Sequence, residues 1–143
     1  MGKNQYLIFM PKIESRTGKV RASEEKVYTF LSNFNNFRKL IPEDKVKDWE
    51  STEDTCSFNV EGIGRFSLRI IEKEPNKLIK ITSDDKTPVN FFLWTQIKEV
   101  ETDDSRLRIT VEVNVNPIMA ALIKSPLQTF VDSLIDQAEK LTY

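Results

Sequence analysis

The sequence contains no histidine. That absence removes the Ser-His-Asp triad, the Cys-His dyad and His-ligated zinc, and with them the one side chain that titrates near neutrality unaided. Cysteine occurs once, at Cys56. Neither an intrachain disulfide nor a Cys-rich metal site follows from one thiol, and the usage suits a reducing compartment. An excess of either charge is also missing: 21 Lys and Arg stand against 22 Asp and Glu, a net charge of −1. No global field draws the chain to nucleic acid or to an anionic membrane. The longest uninterrupted apolar runs, Tyr6–Met10 and Ile118–Ile123, are far shorter than the roughly 20 residues that cross a bilayer, so no membrane span is expected. The opening Met1-Gly2-Lys3-Asn4-Gln5 has neither a signal-peptide pattern nor the Ser or Thr of a myristoylation site. A cytoplasmic location is expected.

What is present is enough for a core. The 143 residues fit one domain, and 39% are hydrophobic, including nine Phe, three Tyr and two Trp. Residues 1–11 are set aside as an N-terminal extension, and 12–143 are expected to form a single domain. Ile13 to Arg21 alternates charged and hydroxyl residues as a half-exposed edge strand does. The period then changes. Ser23 is an N-cap candidate, followed by Glu24 and Glu25. Val27, Phe30, Leu31 and Phe34 repeat at helical spacing, and Phe37, Leu40 and Ile41 add a turn that stops at Pro42. Two short helices in series are expected.

Residues 46–116 alternate with period two between turn signals at Thr52-Glu53-Asp54, Gly62-Ile63-Gly64, Pro75-Asn76, Asp84-Asp85-Lys86 and Asp103-Asp104-Ser105. Cys56, Phe58 and Val60 share a face, as do Phe66, Leu68 and Ile70. Ile79 and Ile81 share another, and Leu107, Ile109, Val111, Val113 and Val115 a fourth. This is an antiparallel sheet with one buried side. In the next-to-last strand, Phe91, Leu93, Thr95 and Ile97 are assigned inward, which turns Phe92 and Trp94 outward. Asn116-Pro117 opens a C-terminal helical segment. Ser125-Pro126-Leu127-Gln128 reads as a capping box, so a restart or kink is expected there. Leu127, Phe130, Val131, Leu134, Ile135, Ala138 and Leu141 form its apolar stripe.

The order strand, two short helices, six strands and long C-terminal helix resembles the helix-grip, or Bet v 1/START-like, superfamily. Ala22-Ser23-Glu24-Glu25-Lys26-Val27-Tyr28 is similar to its Ala-Ser-x-Glu-x-Val-aromatic segment. Asn36 followed by Leu40-Ile41-Pro42 is similar to its Asp/Asn-x-x-x-apolar-apolar-Pro segment. Gly62-Ile63-Gly64 and Pro75-Asn76-Lys77-Leu78 stand where the family has a Gly-rich hairpin and a Pro-containing turn. The polyketide cyclase/dehydrase-type subgroup is the nearest in pattern. The resemblance implies an α+β fold in which a curved antiparallel sheet of about six or seven strands wraps a long C-terminal helix. It also implies a cavity between the two for lipids, sterols, polyketides or quinones.

The expected lining is Phe34, Phe37, Leu40 and Ile41 from the short helices and Phe58, Phe66, Leu68, Phe91, Leu93 and Val113 from the sheet. Met119, Leu122, Ile123 and Phe130 would come from the last helix. Plain core packing is the competing reading for these residues. Burying ~300 Å² of apolar ligand at about 25 cal/mol per Å² supplies roughly 7 kcal/mol before association costs. Catalytic groups are scarce on this face. Tyr28, Trp49 and Asn90 are its polar handles, the acidic pairs read as turns, and Cys56 reads as a small buried hydrophobe. No catalytic or metal-ligating residue is assigned and no cofactor is expected. The reading is non-catalytic binding of a small hydrophobic or amphipathic molecule. A protein-interaction or homodimer surface through Phe92, Trp94 or Ile118 to Ile123 is the alternative, and a cyclase or dehydratase the third.

Overall fold

The computed structural model describes residues 11–143; Tyr6–Met10 and the rest of the extension lie outside the described residues. The strands are β1 (Lys12–Glu14), β2 (Gly18–Val20), β3 (Val46–Ser51), β4 (Thr55–Val60), β5 (Gly64–Glu74), β6 (Leu78–Ser83), β7 (Asn90–Glu101) and β8 (Asp104–Asn114). They form one antiparallel sheet in the order β1-β8-β7-β6-β5-β4-β3, with β2 also on β8. Six strands thus meander from β3 to β8, as the turn signals predict. The total is eight, above the six or seven expected, because the opening strand is broken. Ser15 donates its N–H to the Ile109 carbonyl (2.8 Å) and accepts the Ile109 N–H on its hydroxyl (2.9 Å). Glu14 pairs with Thr110 and Gly18 with Leu107, so three residues stand opposite two. This is a bulge, and its extra residue lets Arg16 face the last helix.

Helix α1 (Glu24–Leu31) is capped by the Ser23 hydroxyl, which accepts from the Lys26 N–H at 3.2 Å. Its first residue is tied to β7: the Glu24 carboxylate accepts from the Glu99 N–H, and the Glu99 carboxylate from the Glu24 N–H. Helix α2 (Phe34–Phe37) is capped by Asn33 and runs into a 3-10 turn over Arg38–Leu40. These are the two short helices expected. Helix α3 spans Pro117–Lys140 without a break, which corrects the restart at Pro126. Asn116 caps it by accepting from the Met119 N–H at 2.8 Å. Pro126 is exposed inside the helix, where water can serve the carbonyl its missing N–H leaves free. The Gln128 amide, predicted to close a capping box, donates instead to the Glu14 carbonyl at 2.7 Å.

By length and composition α3 is apolar enough to cross a bilayer, which counting uninterrupted runs overlooks. Its C-terminal half has another partner. Val131, Leu134, Ile135 and Ala138 are fully buried on the inner face, and α3 contacts β1, β2 and β8. The approach is close enough that a Cβ on Gly18 would meet Ile135 Cγ2 at 2.6 Å. Charged groups fasten the same contact. The Arg16 guanidinium bonds Asp136 and Glu139, and its backbone N–H donates to Asp132 at 2.8 Å. Glu139 also accepts from the Lys19 N–H at 2.9 Å. Arg16 and then Lys19 hold the Glu139 carboxyl down at about 2, and Glu139 and then Asp136 raise the Arg16 pKa.

Two predictions follow from this junction. Gly18→Ala should cost about 1–3 kcal/mol through overpacking, read as a lowered melting temperature. In an Ile135→Leu background, which lacks the branching methyl, the same change should cost less; equal costs in both backgrounds would place the strain elsewhere. Glu139→Gln should cost about 1 kcal/mol at neutral pH, the partial exposure of the cluster limiting the effect. A depressed carboxyl stabilises the fold above its ordinary range and stops doing so as the pH falls toward about 2. The melting difference between wild type and Glu139→Gln should therefore shrink as the pH drops from about 5 to about 2; a pH-independent difference would refute this.

Candidate functional site

The register places the predicted inner residues on one side. Cys56 pairs with Leu68 and Phe58 with Phe66, Ile81 with Leu93, and Phe91, Leu93, Thr95 and Ile97 with Val113, Val111, Ile109 and Leu107. The lining candidates separate into three groups along this face. Phe34, Phe37, Leu40, Ile41, Phe58, Leu93 and Val113 are buried in the core. Phe66, Leu68, Phe91, Ile123 and Phe130 are half-buried at its margin. Met119 and Leu122 are exposed, at 44% and 67%, beside Ile118 at 78%.

The expected cavity is therefore not uniform beneath α3. Under the C-terminal half, side chains fill the gap. At the N-terminal half the helix carries uncovered apolar side chains. Two hollows are formed by the strands. One, of about 400 Å³, is bordered by Glu50, Ser57, Arg69 and Asp84 together with the inner-face residues Cys56 and Leu68, so it takes in one residue of the expected lining. The other, about 230 Å³, lies by the Ile70–Glu72 irregularity of β5. Neither is lined by α3.

The open end of the inner face carries four aromatic rings in a row. Trp49 stacks on Phe58 at 5.3 Å and 10°, Phe58 on Phe66 at 5.8 Å and 7°, and Phe66 meets Phe91 at 6.3 Å. Phe91 pairs with Val113, just before α3 begins. The row thus starts beside the helix and crosses the sheet toward the β3 edge. The Arg38 guanidinium lies 5.9 Å from the Trp49 ring centre, at cation–π distance. Trp49 enters the row through an irregularity in β3, where Asp48 takes a left-handed φ of 56°.

Polar chemistry on the inner side is sparse. The Thr95 hydroxyl and the Trp49 indole N–H are buried without a hydrogen-bond partner. Burial pushes the Cys56 thiol up to about 12, so the residue packs as a hydrophobe, as predicted. Burial also raises the Tyr143 phenol, which donates to the Ala138 carbonyl at 2.8 Å. Asn90 is exposed and accepts from Thr87 and Ser83. Tyr28 is half-buried against the core. Asp84 accepts the Lys86 N–H within its turn, as the turn reading predicts. Among the described residues no group of three or more His, Cys, Asp or Glu is placed to hold a metal ion. Around the ring row the inner strand positions carry no carboxylate or ammonium; farther along the strands Lys73 pairs with the inner Ile79 and Glu99 with the inner Ser105, both charged residues being exposed.

Phe92 and Trp94 point outward, as assigned. Their rings stand 5.9 Å apart, and Lys80 covers both at 4.7 and 5.1 Å. The cross-strand cation half-buries the pair within this chain. Arg38 escaped the sequence reading because it sits between Phe37 and Lys39 in a short helical turn, where a basic residue carries no periodic signal.

No protein-family model matches the sequence, and no curated protein matches it. Solved structures do match its shape. Norcoclaurine synthase from Thalictrum flavum superposes with a TM-score of 0.73 over 96% of this chain and 89% of its own, at 15% identity. A START superfamily protein from Mycobacterium smegmatis gives 0.65 over 92% and 99%, at 17% identity. The di-domain ARO/CYC BexL of the BE-7585A biosynthetic pathway gives 0.72 over 92% of this chain and 46% of its own, also at 17%. Identities this low speak for fold alone. The chain has the helix-grip α+β fold of Bet v 1/START-like proteins, an antiparallel sheet with a long C-terminal helix.

Proposed function

We propose that this chain binds a small hydrophobic or amphipathic molecule, without catalysis, at the open end of its inner face. The supporting observation is the ring row Trp49, Phe58, Phe66 and Phe91, half-covered at every ring except the buried Phe58, together with the uncovered N-terminal half of α3. Such a surface gains free energy from any apolar partner that removes it from water, at about 25 cal/mol per Å². Stacked rings favour flat or aromatic ligand parts through offset and edge-to-face contacts. The inner strand positions around the ring row carry no charged acid or base, which favours binding over the cyclase or dehydratase reading. Norcoclaurine synthase, which shares the fold, is seen in complex with dopamine and hydroxybenzaldehyde.

A second reading rests on Ile118 and Leu122, exposed at 78% and 67% one helical turn apart. Such a pair also suits a protein partner or a second copy of the chain.

An anilinonaphthalene dye and alkyl alcohols are suitable probes, titrated by fluorescence and calorimetry. Phe66→Ala and Phe91→Ala should each weaken binding about tenfold while the fold is retained, since about 1.4 kcal/mol is one decade. Ile118→Ser with Leu122→Ser should leave dye binding within about threefold if the ring row is the main contact. Loss of self-association in that double variant by light scattering, with no dye binding by wild type, would support the interaction reading and reject the ligand one.

A further inference from the structure

We infer that the molecule bound at this open end carries a negatively charged oxygen group, received by Arg38 and the indole N–H of Trp49. The inference rests on the ligand-binding reading above and adds the chemical class of its polar part.

Both groups are donors with unused capacity. The Trp49 indole nitrogen is buried and has no acceptor. A buried donor left unpaired is costly, and native structures rarely keep one without a reason. Arg38 presents five N–H donors, yet its recorded bond is from Nη1 to the Ile41 carbonyl at 3.1 Å. No carboxylate lies within ion-pair distance of it among the described residues. Four other arginines have carboxylate partners: Arg16 with Asp136 and Glu139, Arg65 with Glu50, Arg106 with Asp104, and Arg108 with Glu14; Arg21 and Arg69 also lack one among the described residues, but both are exposed. Arg38 is half-buried, so its charge is less screened than that of a fully exposed cation.

The two donors belong to one place. The guanidinium lies over the Trp49 ring, and that ring ends the apolar row. An apolar tail along Phe58, Phe66 and Phe91 would therefore bring its head group to Trp49 and Arg38. In the free chain Arg38 covers the ring. An incoming carboxylate draws the guanidinium onto its oxygens and leaves the N–H an acceptor. Charge-assisted bonds of this type are about twice as strong as neutral ones.

The test compares a charged ligand with its neutral counterpart. Calorimetry at pH 7.5 would measure decanoate against decanol, and phenylbutyrate against phenylbutanol. Wild type should bind each carboxylate about tenfold or more tightly than its alcohol, since a charged hydrogen bond exceeds about 1.4 kcal/mol. Arg38→Met should bring that ratio near unity, the ratio being the readout because both ligands meet the same altered surface, and Arg38→Lys should keep part of it. Trp49→Phe, which keeps a ring and removes the donor, should lower the ratio and keep the protein testable if Arg38→Met misfolds. Equal binding of acid and alcohol by wild type would overturn this inference and leave the ligand-binding reading standing. Failure of all four compounds to bind would overturn both.

Discussion

The closeness of β2 to helix α3 at Gly18 governs the rest of the structure. With no side chain at that position, Ile135 reaches the strand backbone. The helix then docks along the β1, β2 and β8 side of the sheet. With its C-terminal half seated there, α3 also contacts the 3-10 turn, while the opposite edge, β3, lies five strands from β8 at about 4.8 Å each. That edge receives different cover. The Phe34 N–H donates to the Glu53 carbonyl at 2.9 Å, which brings α2 and the following turn over the β3–β4 side. The ring row is what lies between these two covers. Arg16 then holds the seated half in place. Its side chain and backbone together engage three carboxylates on one face of α3, an arrangement that costs less side-chain entropy per bond than three separate pairs.

Most of the fold was legible because two periods are easily told apart. Strict alternation from Cys56 to Val115 defined the strands and their inward faces. The 3.6-residue repeat, with Ser23 and Asn116-Pro117, located the helices. The errors arose where a local signal competed with a distant contact. Ser125-Pro126-Leu127-Gln128 is a sound capping pattern, yet Gln128 bonds the Glu14 carbonyl and the helix continues. Ser15 reads as one more polar residue of an edge strand, while its hydroxyl substitutes for a ladder partner and breaks the strand. Neither partner is near in sequence, so no window of residues reveals them.

The site was legible in kind but not in extent. Apolar inward positions identify candidates without distinguishing a core residue from a residue at an open margin. Leu93 and Phe91 share one register, yet Leu93 is 6% exposed and Phe91 is half-buried. The difference is position along the strand: Phe91 lies toward the end where α3 begins. Met119 and Ile123, four residues apart on one side of the helix, likewise differ in position along it: Met119 is exposed and Ile123 half-buried. Arg38 and the β3 irregularity that seats Trp49 depend on tertiary placement and left no pattern to read.

The distribution of charge separates two tasks. Ion pairs and carboxylate clamps stand at the rim and on outer positions, where desolvation is small and their loss is mild. The buried inner strand positions carry no charge, so cohesion there comes from burial and ring contacts. Along α3 the two regimes meet. Its second half combines both and is the firmer; its first half has neither buried side chains nor an ion pair among the described residues. Local opening costs least where buried apolar contacts are fewest. The first half of α3 can thus shift against the ring row while the second remains seated on β2.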